Sequence, residues 1–153
     1  MRFGFLLCAA AGLWPAAAIA ADIDAAKLFM EQCSACHQPN GQGVAGQFPA
    51  LAGNRDLFAS REFPVLDVLF GMTGAIEVNG NVINDGVMPP LGEMLNDEQI
   101  AAVVNYVRSH FGNDKLAPAG FQPLDAATVA ALRKRNMSPE QVHALRQQLV
   151  GKK

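Results

Sequence analysis

A chain of 153 residues with 50% hydrophobic composition has room for one small domain and a short addition, and its formal net charge is −2. Twelve Lys and Arg against fourteen Asp and Glu leave no basic excess, which excludes the electrostatic footprint of a nucleic-acid-binding domain. The sequence holds no internal repeat or low-complexity tract, so neither a solenoid nor a disordered chain is indicated.

The opening stretch, MRFGFLLCAAAGLWPAAAIAA, has one positive charge at Arg2, an apolar run and an alanine-rich end. Those are the three regions of a secretory signal peptide, with cleavage expected after Ala18-Ile19-Ala20. Pro15 and the small-residue tail argue against a retained membrane anchor, and Leu7 argues against a lipoprotein signal at Cys8. Residues 1–20 are therefore expected to be removed, leaving a periplasmic chain that starts at Ala21.

DIDAAKLFMEQ follows and predicts a helix, with Asp22 and Asp24 placed to cap its free N–H groups and Leu28 and Phe29 on its apolar face. Next comes CSACH. Without the leader only Cys33 and Cys36 remain, and in an oxidising compartment such a pair can be a disulfide or a redox dithiol. Zinc needs four ligands, and His110 and His143 lack ligand spacing to Cys33, Cys36 and His37. The histidine directly after the second cysteine favours covalent haem instead. Two thiols on one helical turn reach two vinyl groups of a porphyrin edge, and the imidazole faces the iron.

Beyond that motif, FPVLDVLFG predicts a short helix with Pro64 in its first turn and Gly71 as its stop, and AIEVNGNVIN predicts a minor hairpin turning on Asn79-Gly80. NDGVMPPLGEM reads as a turn-rich surface loop, yet it carries Met88 and Met94. The two prolines after Met88 hold the backbone extended and present that side chain rigidly. Met94, just before the next helix, and Met72, after Gly71, read as gap-fillers of the core. LNDEQIAAVVNYVRSHFG is the clearest helix: Asn96 and Gln99 form a capping box, Leu95 and Ile100 a hydrophobic staple, and Ile100, Val103, Val104 and Val107 the apolar stripe.

On these residues the chain resembles the class I, single-haem cytochromes c of bacteria, the type that serves dehydrogenases and terminal oxidases. The likeness covers residues 22–115. CSACH matches the attachment motif, Phe29 and Tyr106 match the aromatic pair joining first and last helices, FPALAG resembles the proline loop, and GVMPPLG the methionine loop. The resemblance implies an all-α, small cytochrome c fold packed around one haem c bound through Cys33 and Cys36, with a minor β-hairpin and a helical C-terminal extension. It implies His37 and Met88 as axial ligands, with the Pro49 carbonyl accepting from the His37 ring. The function implied is one-electron transfer between a redox protein donor and acceptor, without enzymatic activity of its own. The protein would be a free carrier or the haem subunit of a respiratory or dehydrogenase chain. If Met88 did not bind, a five-coordinate haem could act as a peroxidase or gas sensor, but His110 and His143 are poor distal acid–base groups.

Charge divides the chain further. Residues 22–115 carry a formal −7, whereas residues 116–153 carry +4. The expected layout is a signal peptide at 1–20, a cytochrome domain at 21–115, and a proline-spaced linker with a basic tail at 116–153. LAPAGFQP is the linker; DAATVAALRKR and SPEQVHALRQQLV predict two helices, the second with a Ser138–Gln141 capping box and Pro139 at its first position. Such a tail can fold back through Val142, Leu145 and Leu149, or dock on an acidic partner or anionic membrane surface. The reach of the linker favours docking.

Overall fold

A computed structural model describes residues 23–151. In chain order it contains α1 (Ala25–Gln32), α2 (Ser34–His37), α3 (Phe63–Phe70), β1 (Met72–Val78), β2 (Asn81–Met88), α4 (Asp97–Ser109), α5 (Ala126–Arg133) and α6 (Pro139–Val150), with 3₁₀ turns at Arg55–Phe58 and Asn113–Leu116. The signal-peptide reading and the Asp22 cap lie outside the described residues.

Local chemistry accounts for the helix ends. Asp24 accepts from the Lys27 N–H at 2.9 Å and starts α1. The Asn96–Gln99 box is reciprocal, with bonds of 2.8 and 3.0 Å, and Leu95 and Ile100 are both buried, as the staple requires. The α4 helix stops at Ser109, three residues before the Gly112 that closes the predicted stretch, because His110 is already extended (φ −119°, ψ −179°); Phe111 and Gly112 then turn left-handed, at φ 57° and 79°. That turn swings the Phe111 ring to 5.0 Å from Phe29, which also lies 5.7 Å from Tyr106. The expected two-ring contact between α1 and α4 is thus a three-ring cluster around a fully buried Phe29.

The hairpin is longer than expected. Asn79 and Gly80 make the turn with φ of 52° and 78°, as a type I′ turn demands. From there β2 runs through Asp85 and Gly86 to Met88, which pairs with Met72. Met88 is therefore the end of a strand and not a residue within a free loop. Asp and Gly are poor strand formers, and they mask the continuation in the sequence.

The tail folds back, and this replaces the expected outward arm. Asn105 fastens the linker through two bonds of 2.9 Å to the Leu124 backbone, and Arg61 donates to the Pro123 carbonyl at 2.8 Å. Val129, Leu132 and Val142 enter the core, with Leu145 and Leu149 packed against it. α5 lies against α4 and α3, and α6 against β1 and α3. Three of the basic residues pair with carboxylates of the preceding domain, Arg146 with Asp56 at 2.6 Å, Arg133 with Asp97 at 2.7 Å and Arg135 with Glu62 at 3.8 Å.

Candidate cofactor crevice

One wall grows from a short stretch of chain. The Cys33 carbonyl accepts from the N–H groups of Cys36 and His37 at 3.3 and 3.0 Å, so α2 is a single turn displaying both thiols and the imidazole. The chain then doubles back: the Gly43 N–H bonds the His37 carbonyl at 2.9 Å, and Val44 pairs with Phe48. Gly43 sits at φ 65°, and a Cβ there would stand 2.3 Å from the Phe48 oxygen, so only glycine permits this return. The loop delivers the Pro49 carbonyl to within 2.9 Å of His37 Nδ1. A carbonyl can only accept, so Nδ1 carries the proton and Nε2 keeps its lone pair. Burial lowers the His37 pKa against the opposing effect of the Pro49 bond, and the ring is held neutral.

Cys33 and Cys36 are free thiols. Burial, reinforced by Cys36, pushes Cys33 up to about 11, whereas redox dithiols and zinc thiolates depend on a depressed value. The remaining histidines sit elsewhere. His110 stacks on Tyr106 at 4.0 Å, and His143 donates from Nε2 to the Ala75 carbonyl at 2.7 Å.

The opposite wall is assembled from distant parts. Gly71, at φ 72°, ends α3 and lets the backbone of Met88 lie against it; a Cβ would come within 2.4 Å of the Met88 oxygen. Pro89 and Pro90 offer no N–H, and the Leu91 N–H then closes onto the Val68 carbonyl at 2.8 Å. Arg133 holds the far end of the loop from α5, donating to the carbonyls of Gly92 and Leu95. Met72 is buried in the core. Met94 is not: it is 66% exposed, and Leu95 fills the packing role expected of it.

Between these walls lies a crevice, partly open to solvent. Cys33, Cys36 and His37 face it from one side and Met88 from the other, while α3 and α4 contribute Val68, Val103, Val104 and Val107. Paired thiols, an imidazole lone pair and a thioether lining one apolar slot could hold a flat, covalently bound macrocycle.

Four polar residues at or behind this site escaped the sequence reading. Arg108 is buried and donates to the carbonyls of Leu57, Ser60 and Arg61, fixing the segment after Pro49; its place eight residues after Ile100, on the apolar stripe, is the available signal. Burial and nearby Arg61 pull it down to about 10, so it stays protonated at neutral pH. Asn113, fully buried, bonds the Leu51 and Val107 carbonyls and receives the Asn54 N–H. Arg146 reaches from α6 to line the crevice, donating to Asp56 and to the Glu77 carbonyl at 2.6 and 2.7 Å. Asp67 also lines it, from the middle of an otherwise apolar helix, where a lone carboxylate is itself a signal.

The family model for cytochrome c matches residues 23–111. Two proteins named cytochrome c-552, both from Thermus thermophilus, are similar over nearly their whole length. One is 43% identical over 133 residues, covering 84% of this chain and 87% of its own. The second is 43% identical over 130 residues, 82% of this chain and 96% of the other. The cytochrome c subunit of a quinone alcohol dehydrogenase from Gluconacetobacter polyoxogenes is 32% identical over 74% of this chain, but only 23% of that longer subunit. Cytochrome c proteins carry covalently attached haem c, and the crevice meets that requirement in shape and donors. The chain belongs to the cytochrome c family and is an electron-transfer protein.

Proposed function

We propose that this chain is a periplasmic monohaem cytochrome c that passes single electrons from a dehydrogenase toward a terminal oxidase, as a carrier or as a haem subunit. Cys33 and Cys36 would hold one haem c covalently, and His37 and Met88 would bind its iron. The observation that carries this reading is the orientation of His37: its Nδ1–H is engaged by Pro49, and its Nε2 is directed by default to the crevice that Met88 closes. The dehydrogenase subunits among the relatives support the class of donor, and the leader-like residues 1–20 support the compartment.

Haem supplies a reversible one-electron change at iron. The protein's part is to hold it and set its surroundings. With both His37 and Met88 bound to the iron, no place would be left for oxygen or peroxide. The Pro49 carbonyl fixes the His37 ring and raises its basicity. The apolar walls disfavour the extra positive charge of the oxidised state, and a thioether ligand raises the potential further.

Replacing Met88 with Ala is expected to abolish the weak red charge-transfer band of an iron–thioether bond and to lower the potential. Met94→Ala should do neither. The opposite pattern would overturn the assignment. Acid acetone should leave the haem on the polypeptide, and carbon monoxide should not bind the untreated reduced protein.

A further inference from the structure

Helix α3 is apolar apart from one residue. Phe63, Pro64, Val65, Leu66 and Leu69 are buried, and Asp67 is the single charged group of Phe63–Phe70. Its Oδ1 is sealed from solvent and meets no hydrogen-bond donor. The side chain borders the same crevice as His37 and Met88. A carboxylate left ionised and unpaired in such surroundings is costly, so the group binds a proton instead.

Few charges face it. From α6 comes Arg146, which favours the ionised form, but its guanidinium is already committed to Asp56 and the Glu77 carbonyl. From α4 the crevice-facing residues are Val103, Val104 and Val107, while Arg108 is turned to the carbonyls of Leu57, Ser60 and Arg61. Arg133 of α5 is held by Asp97 and the carbonyls of Gly92 and Leu95. The His37 ring is neutral. Burial outweighs Arg146 and pushes the Asp67 carboxyl up to about 8.

We propose that Asp67 is a proton-binding site coupled to electron transfer, taking one proton from solvent when the crevice receives an electron and returning it when the electron leaves. The inference rests on the haem reading above. The balance is simple. The donor supplies one electron, solvent supplies one proton, the only bond formed is the O–H of Asp67, and oxidation by the acceptor reverses both. The cause is electrostatic: in a slot of low dielectric, an added negative charge strengthens proton binding, and a bound proton strengthens electron binding by the same factor. Ionised Asp67 stabilises the oxidised state. The potential is therefore highest where Asp67 is protonated, falls as pH rises through a window bracketing pH 8, and levels off above it.

Redox titration of the holoprotein across pH tests this, with haem content and the red charge-transfer band read on the same samples. Asp67→Asn should keep both and hold a pH-independent potential near the acid plateau of the wild type. Asp67→Glu should restore the slope with a displaced midpoint. A slope that persists in Asp67→Asn would assign the proton to a haem propionate or another group and overturn the proposal. Infrared redox-difference spectra of wild-type protein, labelled with ¹³C at the aspartate carboxyl, cover the case in which Asp67→Asn fails to hold haem. A label-sensitive protonated-carboxyl band should appear on reduction, and its absence would overturn the proposal too. Loss of the charge-transfer band in the wild type would instead refute Met88 ligation, while the infrared result would still be read independently.

Discussion

The two walls of the crevice are built by different means. The His37 wall is a local construction: thiols, imidazole and the accepting carbonyl of Pro49 fall within 17 residues of one another, tied by short-range backbone bonds. The Met88 wall is a junction of remote parts, where the end of β2 lies on Gly71, Leu91 bonds Val68, and Arg133 clamps from a helix 41 residues beyond Gly92. A local device survives change elsewhere as long as its own turn folds. A junction fails when any one of its distant members is altered.

The largest expected effect is on the support common to both walls. Phe29 is fully buried between Tyr106 and Phe111, and Phe111 in turn packs against Gly41 beside the His37 turn. Phe29→Ala removes the centre of that cluster and should cost about 3–5 kcal/mol. For a domain of this size that is a large part of the total stability. Holoprotein yield and thermal midpoint should fall together, with unchanged ligand bands in whatever folds. An unchanged midpoint would mean that the cluster does not join α1 to α4.

Gly71→Ala should separate the walls. The added Cβ would collide with the Met88 carbonyl, and the left-handed φ adds strain, together about 2–3 kcal/mol. Since the backbone that must yield carries Met88, the charge-transfer band should weaken while the haem stays covalently attached. Equal damage to the His37 side, seen as loss of attachment, would refute the contrast.

Arg133→Ala is a milder version from farther away. Its side chain is about one-third exposed, and its bonds to Asp97, Gly92 and Leu95 together are worth on the order of 1–2 kcal/mol. The expected result is a small drop in thermal midpoint and a red band lost at lower pH than in the wild type, as the methionine loop opens more readily. A band with unaltered pH stability would show that α5 does not brace the loop.

The same contrast explains what the sequence reveals. CSACH, the Asp24, Asn96 and Ser138 caps and the Asn79-Gly80 turn are local patterns, and each stands where expected because its physics is contained within a few residues. The folded-back tail is one of two readings that the sequence allows, since its charge split suits an outside partner as well as the acidic domain beside it. What decides is the pairing of Arg146 with Asp56, ninety residues apart, and the fit of Val129 and Val142 into the core. Arg108 and Asn113 are hidden for a related reason: their partners are backbone carbonyls of another loop, and a carbonyl has no identity in sequence.

Met94 supplies the smallest effect. It shares a loop with Met88 and has the same side chain, so composition cannot tell the two apart. The structure does: Met88 closes a crevice, while Met94 is exposed beyond the turn in which its N–H bonds the Leu91 carbonyl at 3.0 Å. A surface substitution away from caps and cavities usually changes stability by no more than about 0.5 kcal/mol. Met94→Ala should therefore leave thermal midpoint, potential and red band essentially unchanged. A Met94→Ala variant that lost stability on the scale of Arg133→Ala would place its side chain under the loop, and the distal wall would then rest on Met94 for the contact that buried Leu95 makes in the structure.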